Sequence, residues 1–257
     1  MVRIRTLAPL ALVAAALFTS ACSSAAPVTR ADQPTVEVLS TPPPMPTGEP
    51  QAATPVPVAA PTVVAEKGGQ PLRDTNFSGA TSLADWRAIE TYDLTGGPAV
   101  WEISDGQLRQ VSDFNGGFTD VGTALVTGGG DWQDYTVAAS AYAETNEQPG
   151  VVARAGSDGF YLLHLIGNGT NQVAISRFDS GDDSFATLVT ADLAVETGRW
   201  YRLSLTVQAD TLVGSVDGSE LLRVSNATLG TGQAGVYGIA TGGLIFDDFR
   251  VSGLAGR

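Results

Sequence analysis

From Phe77 onward the apolar positions recur at a period of two, with no stripe at 3.6. Tyr135, Val137, Ala139 and Ala141 alternate with Thr136, Ala138, Ser140 and Tyr142, and Tyr201, Leu203, Leu205 and Val207 alternate with Arg202, Ser204 and Thr206. Such alternation is what a strand with one face on a core requires. Asp105-Gly106, Asp158-Gly159, Ala209-Asp210 and Asp217-Gly218 punctuate the runs, and Asp-Gly pairs tolerate the positive φ of tight hairpins. The spacing predicts about a dozen strands, too many for one open sheet of a domain this size. The pattern therefore predicts an all-β fold of two antiparallel sheets packed face to face.

Upstream the pattern changes character. Arg3 and Arg5 precede Leu7–Phe18, a run of 12 mostly apolar residues. That run falls short of the ~20 residues that cross a bilayer and suits an export signal. The tetrad Thr19-Ser20-Ala21-Cys22 resembles the lipobox of bacterial lipoproteins, with Thr19 where that motif usually has Leu, Val or Ile. The resemblance implies cleavage before Cys22, lipidation of Cys22, and anchoring to the outer face of the cell membrane. An ordinary secretory signal is the alternative. Eleven of the 14 prolines fall between Pro27 and Pro71, a stretch without apolar period and therefore a disordered linker. The expected organisation is a signal peptide over 1–21, a lipidated cysteine and Pro-rich linker over 22–72, and a folded domain over 73–257.

Charge narrows the partners. The chain has 14 basic and 27 acidic residues and a net charge of −13. Four of each fall in residues 1–72, so residues 73–257 hold all the excess. Binding to nucleic acid through neutralised phosphates is thereby disfavoured. Cys22 is the only cysteine and His164 the only histidine. An intrachain disulfide, a cysteine-based metal cluster and a multi-histidine site are excluded, and little is left for a Ser-His-Asp triad.

Several segments carry a family resemblance. Gly150-Val151-Val152-Ala153-Arg154, Gly159-Phe160-Tyr161-Leu162-Leu163, Gly198-Arg199-Trp200-Tyr201-Arg202-Leu203 and Phe246-Asp247-Asp248-Phe249-Arg250-Val251 resemble successive strands of the concanavalin A-like lectin/glucanase superfamily, the laminin-G-like jelly rolls. The resemblance covers nearly all of residues 73–257. It implies a two-sheet antiparallel jelly-roll sandwich and a structural calcium ion held by Asp74, Asn76 and Asp247. Glycosidases of this superfamily carry a Glu-x-Asp-x-x-Glu run, because two carboxylates must flank one glycosidic bond; no such run is present. The related 3-keto-disaccharide hydrolase branch has Asn-Ser-Gly and Tyr-Glu where this chain has Gln148-Pro149-Gly150 and Phe160-Tyr161-Leu162.

Parity selects the candidate ligand contacts. Tyr142 shares a face with Thr136 and Ser140, Arg154 ends the next apolar strand, and Phe160 and His164 share a face of the strand after that. If those faces coincide, an aromatic surface and a bidentate cation line one shallow saccharide groove. For Arg154 an ion pair, and for His164 a satisfied structural role, are the alternatives. Trp200 alternates with the apolar set of its strand and is expected to be structural or partly covering. The reading is a membrane-anchored, monomeric, extracytoplasmic lipoprotein whose domain binds glycan or cell-surface polysaccharide, or mediates adhesion, without catalysis. The alternatives are a glycoside hydrolase related to the 3-keto-disaccharide branch and a structural envelope protein without a small ligand.

Overall fold

The computed structural model describes residues 69–80, 82–91, 98–112, 122–144, 148–167, 169–239 and 242–254. The export signal, Cys22 and the Pro-rich linker lie outside the described residues. Among those residues, fifteen strands and no helix form two antiparallel sheets. In the first sheet β13 (Ser219–Ser225), β12 (Thr211–Val216), β11 (Trp200–Gln208), β6 (Tyr135–Ala143), β15 (Leu244–Gly253), β4 (Gln107–Gln110) and β3 (Trp101–Ser104) lie side by side. Strand β1 (Pro71–Thr75) pairs with the second half of β15, on whose first half β4 lies. The second sheet runs β10 (Ser184–Asp192), β9 (Gln172–Asp179), β8 (Gly159–Ile166), β7 (Gly150–Gly156), β14 (Gln233–Ile239), β5 (Gly122–Thr127) and β2 (Trp86–Glu90).

The alternation seen in the sequence places the core. Tyr135, Val137, Ala139 and Ala141 of β6 and Tyr201, Leu203, Leu205 and Val207 of β11 all belong to one buried cluster. Their register is consistent with this, since Leu203 stands opposite Ala139 and Leu205 opposite Val137. Val151, Tyr161, Leu163, Ile175 and Val236 supply the facing layer from the second sheet. Each buried Val, Leu or Ile among them contributes about 1.5–3 kcal/mol on leaving water.

The second sheet differs in being apolar on both faces. Phe160, Leu162, Phe178, Val152 and Tyr237 form a separate buried cluster on the side away from the core. Five of the ring contacts among Phe160, Phe178, Phe185 and Tyr237 have centroids 5.0–6.3 Å apart. This is why β8 reads as a continuous apolar run without alternation.

Turn chemistry follows the sequence at two hairpins. Asp105 and Gly106 have φ of 55° and 73°, and Asp217 and Gly218 have 51° and 79°; two successive positive φ values match the right-handed twist of the flanking strands. The chain crosses between sheets from β5 to β6 and back to β7. Strands β6 and β7 are consecutive in sequence and yet belong to opposite layers.

Candidate functional site

That crossing corrects the single-groove expectation. Tyr142 lies on the outer side of the first sheet, against Trp200 with ring centroids 5.4 Å apart. Phe160 and His164 lie on the outer side of the second sheet, in register with Phe178 and Ala174. Strand β6 pairs with β11 and β15, so β7 is not its neighbour. The structure therefore brings Phe160 and His164 to one face and does not bring Tyr142 to it. Trp200 takes the opposite parity to Tyr201, which begins the apolar set of β11, and lies half-buried against Tyr142 on the face of Arg202.

Arg154 is 2% exposed and spends its fork within the domain. Its Nε donates to the Gln133 carbonyl at 3.1 Å, Nη1 donates to the Leu229 carbonyl at 2.9 Å, and Nη2 lies 3.5 Å from Asp134 Oδ1. The residue has φ of 52° at a register shift of β7. The bulge turns the side chain beneath the neighbouring loop, and its backbone N–H donates to the Tyr135 hydroxyl at 2.6 Å. Burial pushes the Tyr135 phenol up, which keeps it a neutral donor to the Gly232 and Gln233 carbonyls at 3.2 and 3.1 Å.

His164 is half-buried, with Nε2 3.2 Å from Ser176 Oγ. Its Nδ1 is enclosed without a hydrogen-bond partner. Burial pushes the imidazole down to about 4, so the ring is neutral at ordinary pH.

What Arg154 and Tyr135 hold in place is a cavity of about 620 Å³ at the end of the second sheet. Its floor is the β7 bulge, and its walls are the Ser157-Asp158 turn, the loop 228–233, Gly130, and Arg87 from the edge strand β2. The loop is tied down from below: the Tyr161 hydroxyl accepts from the Leu229 N–H at 3.0 Å, and it lies 2.7 Å from Asn226 Oδ1. Gly232 has φ of 149°, and a Cβ there would come 2.4 Å from the Arg154 carbonyl carbon, so the loop touches the bulge backbone directly. A Cβ at Gly130, Gly156 or Gly230 would meet nothing within 4 Å. These three glycines line the bowl with bare backbone beside open space.

The volume lies within the ~300–1,000 Å³ of small-molecule sites. The walls offer the Arg87 guanidinium, the Asp158 carboxylate, hydroxyls of Ser157, Thr228 and Thr231, and the Gln233 amide. Ser157 Oγ donates to Asp158 Oδ1 at 3.0 Å. A lining that holds both donors and acceptors suits a polyhydroxylated ligand. Arg87, Asp158 and the two glycine segments, Gly128-Gly129-Gly130 and Gly230-Thr231-Gly232, escaped the sequence reading; a search for side-chain-free stretches beside polar residues would have found them.

Asp74, Asn76 and Asp247 do not form an open set of oxygen ligands. Asp74 Oδ2 accepts from Arg250 Nε at 3.0 Å and from Nη2 at 2.5 Å. Asn76 Oδ1 accepts from the Ser78 hydroxyl at 2.8 Å and from its N–H at 3.3 Å. Asp247 Oδ1 accepts from the Asp248 N–H at 2.7 Å. Burial, with the Asp248 charge adding to it, raises the Asp247 carboxyl above the usual range. Among the described residues no group of three or more His, Cys, Asp or Glu could hold a metal ion. A calcium ion at Asp74 would have to displace the Arg250 guanidinium, so these residues do not fit the ion that the resemblance implies.

No protein-family model and no curated protein matches the chain. Solved structures do match. The chain is similar to a protein of unknown function with a galectin-like fold from Bacillus subtilis, at 14% identity over 74% of this chain and 99% of that one, with a TM-score of 0.55. It is similar to the carbohydrate-binding module CBM66 from Bacillus subtilis, at 12% identity over 65% and 95%, with a TM-score of 0.54. It is also similar to SCLam, a non-specific endo-β-1,3(4)-glucanase of family GH16, at 14% identity over 76% and 93%, with a TM-score of 0.51. The described residues form a two-sheet antiparallel jelly-roll sandwich, the fold that the strand motifs predict and that these solved structures share.

Proposed function

We propose that this chain is an exported lipoprotein, held at the outer face of the cell membrane through Cys22, whose domain binds saccharide in the glycine-floored bowl without cleaving it. The observation that carries this reading is the bowl itself: a polar cavity of sugar size with a single carboxylate, Asp158, among the residues that line it. Hydrolysis of a glycosidic bond uses two carboxyl groups about 5–10 Å apart, whereas recognition of hydroxyls needs only fixed donors and acceptors. That a carbohydrate-binding module and a glucanase share this fold supports a carbohydrate-related role. Fold likeness alone does not choose between binding and catalysis.

Each ligand hydroxyl exchanges water for protein at a net gain of about 1 kcal/mol, so single-site affinity in the millimolar to high-micromolar range is expected. Calorimetry of the mature full chain against plant and bacterial polysaccharides should show such binding with no release of reducing ends. Gly230 lines the bowl and a Cβ there would meet nothing within 4 Å, so Gly230→Phe, which adds a ring at that wall, should abolish binding at unchanged melting temperature. Binding that survives Gly230→Phe, or reducing ends released by the wild type, contradicts the reading. For the anchor, wild type should partition into detergent and Cys22→Ser into the aqueous phase; equal partition of the two would remove the lipoprotein part.

A further inference from the structure

The bowl also holds a cation that no carboxylate among the described residues pairs with. Residues 73–257 contain no lysine, so every side-chain cation there other than a protonated His164 is a guanidinium. Seven of the nine described arginines lie within ion-pair distance of a carboxylate. Arg202 Nη1 donates to the Asp248 carbonyl at 2.8 Å. Arg87 is different: it is exposed, it lines the bowl, and its Nη2 donates to a neutral group, Gln233 Oε1, at 3.1 Å. The Gln233 amide is itself oriented, because its Nε2 donates to the Gly128 carbonyl at 3.0 Å. Gln233 therefore turns its oxygen to Arg87 and holds the guanidinium at the wall with most of its five N–H donors uncommitted to a carboxylate.

We propose that the bowl selects a saccharide unit bearing a carboxylate, a hexuronate, and that Arg87 is the residue that sets this specificity; the inference rests on the saccharide-binding reading above. A guanidinium matches a carboxylate through two parallel N–H···O bonds, which are about twice as strong as neutral ones. The Asp158 carboxylate lines the same bowl, but from the turn after β7. Strands β5 and β14 separate the backbones of β2 and β7, ~14 Å over three interstrand steps; the Arg87 side chain crosses part of that distance to reach Gln233 on β14 and stops short of an ion pair with Asp158. A sugar lying between the two walls meets Arg87 with its carboxylate and presents its hydroxyls to Asp158. The net charge of −13 opposes the approach of a polyanion. Screening over ~8 Å at physiological salt weakens that opposition, so the local guanidinium decides the contact.

The test is calorimetry of the mature full chain against oligogalacturonate, oligoglucuronate and alginate fragments, each beside its carboxyl-reduced counterpart of the same linkage. At least one acidic oligosaccharide should bind tenfold or more tightly than its reduced counterpart. Arg87→Gln should bring that ratio to about one, with Arg87→Lys between the two and melting temperatures unchanged. A ratio near one in the wild type, or a preference that persists in Arg87→Gln, overturns the charge selection while binding of the reduced oligosaccharides upholds the saccharide reading. Failure of the wild type to bind any saccharide, acidic or neutral, overturns both.

Discussion

Two titratable side chains show how burial at single residues translates into stability. For His164 the folded pKa of about 4 lies below the ordinary 6.5. The unfolded chain then binds more protons between those values, and stability falls as pH drops from about 6.5 towards 4. The full effect amounts to about 3 kcal/mol. Glu90 acts in the opposite sense. Burial raises its carboxyl, the leading cause, against hydrogen bonds from the Ala99 N–H and the Thr123 hydroxyl; its Oε2 is enclosed without a partner. Its protonation on acidification relieves a buried charge, so stability contributed by Glu90 grows as pH falls through its raised pKa. Thermal melts from pH 7 to pH 4 should show His164→Gln, which keeps a group for Ser176, losing less stability on acidification than wild type. Parallel curves for the two proteins would mean that His164 is solvated and titrates normally. Arg154 teaches a related lesson about legibility. Its position at the end of an apolar strand was visible in the sequence, but its φ of 52° and its three partners from residues 133, 134 and 229 were not. A cation that caps loop carbonyls and one that awaits a ligand look alike until the loop is placed.

Individual strands divide into those that the sequence announces and those that it hides. Strands β6 and β11 alternate because each has one core face and one polar face, with the Thr136 and Thr206 hydroxyls 2.7 Å apart on the latter. Strand β8 hides its faces, since Tyr161, Leu163 and Leu165 enter the core while Phe160 and Leu162 enter the second cluster. The fifteen strands exceed the expected dozen because β3 and β4 are four residues long and β1 and β2 five. Runs that short hold too few repeats for a period to show. Strand β15 breaks its own alternation: Phe246 and Phe249 are both buried, which needs the register shift between Asp247 and Arg250 and the φ of 49° at Asp248. The Phe-Asp-Asp-Phe motif is thus a bulge, and its acidic pair serves the sheet, with Asp248 Oδ2 accepting from Ser140 Oγ at 3.3 Å and the Asp248 carbonyl accepting from Arg202.

At the scale of the molecule, the crossing of the chain between layers decides where a ligand can bind. Parity within a strand was legible, and it correctly put Phe160 beside His164 and Tyr142 on a polar face. Which strands share a sheet depends on pairings across the whole chain, and the groove built from consecutive strands failed at that step. The bowl arises from a bulge, a turn and two glycine segments far apart in sequence, none of which carries an apolar period. The central claim is that saccharide enters this bowl and not the aromatic pair of the first sheet. The measurement that tests it most directly is a titration of isotopically labelled mature chain with a bound oligosaccharide, followed by amide chemical shifts. The account predicts shifts confined to residues 128–130, 154–159 and 228–233 and to Arg87. Shifts centred on Tyr142 and Trp200 instead, with the bowl unmoved, would contradict it.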